Sequence, residues 1–206
     1  DLFLLSVLAV LGAYHLGFVA VARRPTVFFG LFCADIAVRE SVTDSKILLT
    51  VFPAIPFEVL IKIEYLTFVL SVPLFALYLH SVFAPHFRRE AVRVTVWIGS
   101  AYSLIILLLP ARFYTITVVY YQLYTVGFIF YSVYAASLAL RAGRVGSRPV
   151  LFSGLLVAAA VVNDILHTNH VINTTGNLAA IAVSAFVLGQ ARVLANMIGL
   201  SIGTTR

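Results

Sequence analysis

Seven apolar runs, each close to the length of a membrane crossing and separated by short polar breaks, constrain this chain more than any other feature. A transmembrane helix needs about 20 predominantly apolar residues, because the hydrocarbon core is about 30 Å thick and a helix rises about 1.5 Å per residue. The runs fall at roughly 2–22, 27–45, 57–83, 91–109, 116–140, 149–169 and 177–198. Each break has a local cause. Arg23, Arg24 and Pro25 end the first run, and Pro53 and Pro56 interrupt the chain before the third. Pro85 follows the third and Pro110 closes the fourth, while Gly143, Gly146 and Ser147 supply turn chemistry before Pro149. Charged residues make up 11% of the chain and the mean hydropathy is +1.04. Soluble domains carry about 25% charged residues, so a soluble fold could not hide this much apolar surface. The expected fold class is all-α: an integral-membrane bundle of seven transmembrane helices, with 1–206 as a single domain. The first run lacks a preceding basic stretch and is too long for a signal-peptide core. It is expected to be a true span, in a fragment of a longer protein.

The net charge of +6 does not point to nucleic acid, because the basic residues cluster at the ends of apolar runs. Arg23, Arg24, Arg88, Arg89, Arg93, Arg141, Arg144, Arg148, Arg192 and Arg206 fall on one side of the expected topology. Arg39, Lys46, Lys62 and Arg112 fall towards the other. Ten against four predicts a cytoplasmic C-terminus and an outside N-terminus. Of the acids, only Glu90 sits with the inner connections. The single cysteine, Cys33, excludes an internal disulfide and reads as a small buried hydrophobe.

Ionisable groups inside spans are costly, so they face the bundle interior and find partners. Span two carries Asp35, Arg39 and Glu40, span three Glu64 beside Tyr65, and span six Asn163 and Asp164. Arg39, Glu64 and Asp164 lie roughly 9, 10 and 7 Å from the outer ends of their helices. That shared depth predicts an Arg39–Glu64–Asp164 network, either a structural clamp or a ligand pocket or switch. Asp35 and Arg39 are also spaced i, i+4. Tyr120, Tyr121, Tyr124, Phe128 and Tyr131 form an aromatic stripe on span five. Its outer tyrosines could anchor the interface or, with Gln122, line an outward-opening cavity. His15 could reach Asp35. Asp164, His167 and His170 suggest a metal site, but a catalytic zinc needs three protein ligands and an open position, and no other span offers a third histidine at that depth. Ala185 and Gly189 form a small-x-x-x-small pattern. Neither lysine lies in span seven, which excludes a retinal Schiff base of the usual kind.

Several stretches, in this order and spacing, resemble one family. They are Gly12-Ala13-Tyr14-His15-Leu16-Gly17, the Phe29–Cys33 run leading to Arg39, Ile63-Glu64-Tyr65-Leu66, Pro73–Tyr78, Tyr121-Gln122 and Asn163-Asp164-Ile165-Leu166. Together they resemble the seven-transmembrane region of bacterial receptors with diverse intracellular signalling modules, the 7TMR-DISM family. The resemblance implies a sensor in the bacterial inner membrane, with a periplasmic ligand or N-terminal sensor domain on one side. On the other it implies a cytoplasmic effector such as a kinase or cyclase. The expected function is a receptor core without catalysis of its own. Its ligand-binding or switch residues would be Arg39, Glu64, Tyr65, Tyr121, Tyr124, Asn163 and Asp164. The expected partners are the lipid bilayer, the sensor and effector, and a second copy of the chain; no cofactor or metal is expected. A small transporter or channel is the alternative, disfavoured by mostly apolar inner halves in which His80 is the main exception. An intramembrane metallohydrolase is a third.

Overall fold

The computed structural model describes residues 2–17, 24–43, 47–144, 147–174, 178 and 181–190. The helices are α1 (Leu2–Gly17), α2 (Arg24–Val42), α3 (Ile47–Val51), α4 (Phe57–Phe83), α5 (Arg89–Leu108), α6 (Ala111–Arg141) and α7 (Ser147–Thr168). An eighth, α8, covers Ile181–Gln190. No strand occurs among the described residues. Four helices, α4 to α7, are each long and apolar enough to cross a membrane. The described part of α1 is 16 residues, and α2 carries Asp35, Arg39 and Glu40 in its second half. Residues 18–22 of the first expected span and 177, 179, 180 and 191–198 of the seventh lie outside the described residues, as does the side chain of His15.

The expected third span coincides with α4. α6 begins five residues before the run expected to start at 116, because Pro110 sets the start: its carbonyl accepts from Phe113 N at 3.1 Å. At 31 residues, α6 is about 46 Å long and extends beyond the hydrocarbon core. The short α3 was not expected; Pro53 and Pro56 stop it after one turn.

The chain divides into two compact units, 1–125 and 126–206, with α6 running through the division. In the first unit α2 packs against both α1 and α4, and α4 also packs against α5. Small residues set the first contact: a Cβ on Gly12 would stand 3.2 Å from the Ala34 nitrogen. Aromatic rings fill the next contact. Phe29 meets Tyr78 and Phe32 meets Phe75, both at 5.3 Å between centroids. Cys33 is buried among this apolar core. At the turn after α4, His80 Nδ1 lies 2.6 Å from the Phe87 carbonyl. Outward faces remain apolar: Trp97, Ile116 and Tyr120 are each more than 70% exposed within the protein. In a bilayer those faces meet lipid rather than water.

The second unit closes two helices in the same manner. Gly143 (φ 69°) ends α6, with Gly143 N bonded to Leu140 O and Arg144 N to Ala139 O. That is a Schellman motif, which satisfies the last carbonyls of the helix. His170 (φ 57°) does the same for α7, with His170 N on His167 O and Val171 N on Leu166 O. Gln190 of α8 is completely buried and donates from Nε2 to Ser153 Oγ of α7 at 3.3 Å. The small-x-x-x-small pattern meets no described neighbour: Ala185 is exposed, and a Cβ on Gly189 would find open space.

Candidate functional site

Arg39 is the centre of the charged site in the first unit. It stands in the last turn of α2, where the helix meets α4. Its Nη1 donates to the Glu64 backbone carbonyl at 3.2 Å, and its guanidinium lies 5.2 Å from the centre of the Phe68 ring. Arg39 therefore meets Glu64 through the main chain. No described carboxylate of the first unit lies within ion-pairing distance of the guanidinium. The expected direct ion pair is replaced by a carbonyl and an aromatic face, which accept a cation without holding a second buried charge. The Glu64 carboxylate makes no hydrogen bond or ion pair among the described residues. Asp35, one turn back on α2, has its Oδ2 buried without a hydrogen-bond partner among the described residues.

Aromatic side chains of α4, α5 and α6 continue from this point. The Phe68 ring meets Tyr121 edge-on at 5.7 Å, and Tyr121 stacks at 5.2 Å with Tyr102 and at 5.5 Å with Tyr124. Tyr65 packs edge-on against Tyr114 at 5.3 Å. Most of the hydroxyls are engaged. Tyr121 donates to the Val69 carbonyl at 2.8 Å, Tyr124 to Thr95 Oγ1 at 2.8 Å, and Tyr102 to the Tyr114 carbonyl at 3.1 Å. The Tyr114 hydroxyl is buried and has no partner among the described residues. Nearer the start of α4, Lys62 pairs with Glu58 at 3.4 Å and donates to the Leu107 carbonyl of α5 at 3.3 Å.

The structure thus brings together Arg39, Glu64, Tyr65, Tyr121 and Tyr124 of the expected site. Tyr121, 2% exposed, is a core residue rather than an interface anchor; Tyr120 beside it takes the outward position. Asn163 and Asp164 belong to the second unit, where they organise the connection after α7. Asp164 Oδ1 accepts from the Leu178 amide and from Asn163 Nδ2, both at 3.1 Å, and Asn163 Oδ1 accepts from Thr174 Oγ1 at 3.0 Å. His170, a candidate metal ligand by spacing, is the left-handed residue that stops α7. No group of three or more His, Cys, Asp or Glu side chains that could hold a metal ion occurs among the described residues.

Sequence reasoning missed Phe68, Thr95, Tyr102 and Tyr114. The signal for Tyr102 and Thr95 was faint, since single polar groups in apolar helices are common. The signal for the Tyr121 contact was available: Pro73 sits inside α4, and a mid-helix proline leaves a carbonyl that needs an outside donor.

Long apolar helices, outward faces suited to lipid and buried charge among aromatic rings define a multi-pass helical membrane protein. Residues 1–196 match the family model described as 7TM diverse intracellular signalling, and the chain belongs to that family. No curated protein and no solved structure matches it.

Proposed function

We propose that this chain is the membrane core of a bacterial inner-membrane receptor, which couples a periplasmic stimulus to a cytoplasmic effector and performs no catalysis itself. The observation that carries the reading is the Arg39–Glu64 pair of charges. Both are held in the helical bundle, yet the guanidinium bonds the Glu64 main chain rather than its carboxylate. Ionisable groups at membrane depth mark functional sites by default, because their cost must be offset by use or by pairing. Here the pairing is incomplete, which leaves both groups able to exchange partners between two bundle states. A stimulus acts by favouring one of those states, and it can shift the balance only by its difference in affinity between them. Family membership supports signalling as the use. The charge bias of the connections supports an outside N-terminus and a cytoplasmic C-terminus. A sensor or ligand outside, an effector inside and a second copy of the chain are the partners proposed.

The test uses the full-length protein in its own membrane. Arg39→Ala and Glu64→Gln, at membrane levels matched to the parent, are expected to change the cytoplasmic output by roughly 5-fold or more, the lower range of allosteric coupling. Unchanged output in both variants, together with solute flux through reconstituted vesicles, would replace the receptor reading with a transporter.

A further inference from the structure

Pro73 lies inside α4, with more than two turns of helix on either side. Proline has no amide hydrogen, so the Val69 carbonyl, four residues earlier, has lost its helical donor. In a bilayer no bulk water replaces it, and the carbonyl must find a donor from the protein. Tyr121 of α6 is that donor, with Oη 2.8 Å from the Val69 oxygen. The third helix also fits itself to the proline: a Cβ on Gly99 of α5 would stand 3.0 Å from Pro73 Cγ. Tyr121 is the only one of these groups that can leave by rotating a side chain. Its ring is held by Phe68, Tyr102 and Tyr124, and Phe68 in turn carries the Arg39 guanidinium on its other contact.

We propose that Tyr121 is the latch of a proline hinge in α4, and that Arg39 controls the latch through Phe68. With the hydroxyl on Val69 the break in the hydrogen-bond ladder is closed and the two halves of α4 move as one rod. When Arg39 changes partner, Phe68 loses the cation on its ring and frees Tyr121 to withdraw. A water molecule entering from the charged site then takes the Val69 carbonyl, and the halves of α4 reorient about Pro73. The contacts form one physical series from charge to hinge, and the hinge is the element with two arrangements that such coupling requires. Its use in signalling rests on the receptor reading; the latch itself does not.

The test is a distance measurement along α4. Spin labels are placed at Val59→Cys and Val82→Cys in the full-length protein, in lipid nanodiscs and in a background free of other cysteines, with Cys33→Ala. The parent is expected to give one narrow distance. Tyr121→Phe, which keeps the ring and removes the hydroxyl, is expected to broaden it or add a second distance, and Arg39→Ala to do the same. Pro73→Ala restores an amide donor to Val69, so Tyr121→Phe in that background is expected to return to one narrow distance. An unchanged distance in Tyr121→Phe, or broadening that persists with Pro73→Ala, overturns the latch. An unchanged distance in Arg39→Ala overturns its control by Arg39. If Tyr121→Phe alone does not accumulate, rescue by Pro73→Ala supports the proposal and failure of rescue overturns it. Cytoplasmic output measured on the same variants separates the two readings: broadened distances with unaltered output leave the latch in place and overturn the receptor reading.

Discussion

Gly99 shows how one residue decides whether two helices can touch. The Pro73 ring occupies the space where a Cβ would go, at 3.0 Å from Cγ, and a proline ring on a helix cannot swing aside as a long side chain can. Gly99→Ala must therefore push α5 from α4 or strain the proline. Overpacking of this kind costs about 1–3 kcal/mol, and the expected outcome is a lower melting temperature of the detergent-solubilised protein. Gly127→Ala is the control, since a Cβ there meets nothing. Equal melting of the two variants would show that the contact has slack. Residue identity was a poor guide to such roles. Arg39 and Glu64 were legible as a pair because charge at membrane depth is rare, but their geometry was not: a guanidinium has aromatic and carbonyl partners that leave no charge pattern in the sequence. Gly99 was not legible at all, because a glycine that admits a ring looks like any other glycine in an apolar run.

At the scale of elements, the helix stops were legible and the tethers were not. Pro53, Pro56, Pro85 and Pro110 marked breaks because proline cannot continue a helix from within, and Gly143 marked one because it accepts a positive φ. The end of α7 had no such marker, since His170 takes the same backbone conformation with a side chain attached. Asp164 stood out as a membrane charge, yet its structural role depends on the chain folding back after α7, which brings the Leu178 amide 3.1 Å from Oδ1. A carboxylate accepting backbone amides restrains a connection as a capping residue restrains a helix start. Asp164→Ala is expected to release it. Amide exchange at Leu178 and through 169–174 should accelerate by roughly 5- to 30-fold, for a loss of about 1–2 kcal/mol, while exchange in α4 stays as in the parent. Equal exchange in both regions would mean that Asp164 does not anchor the connection.

Across the whole molecule, charge decides which way the bundle is inserted. Arg88, Arg89 and Arg93 flank the turn after α4, and Arg141, Arg144 and Arg148 flank the turn after α6; all six are exposed. Two helices of crossing length, α5 and α6, separate these turns in the chain, so both turns are expected on the same side of the membrane. Retention of basic connections on the cytoplasmic side favours that side as inner, and attraction to anionic lipid adds about 1 kcal/mol per arginine near the surface. The connection after α7 lies one further crossing away and has no arginine or lysine between Arg148 and Arg192. Single cysteines at the exposed positions Ala84, Ala142 and Val171, in a Cys33→Ala background, report all three turns without removing a charge. With a membrane-impermeant maleimide, Val171→Cys is expected to label in intact spheroplasts. Ala84→Cys and Ala142→Cys should label only after the membrane is opened. Labelling of Ala142→Cys in intact spheroplasts would invert the bundle and place the Arg39 site on the cytoplasmic half, where a periplasmic stimulus could not reach it directly.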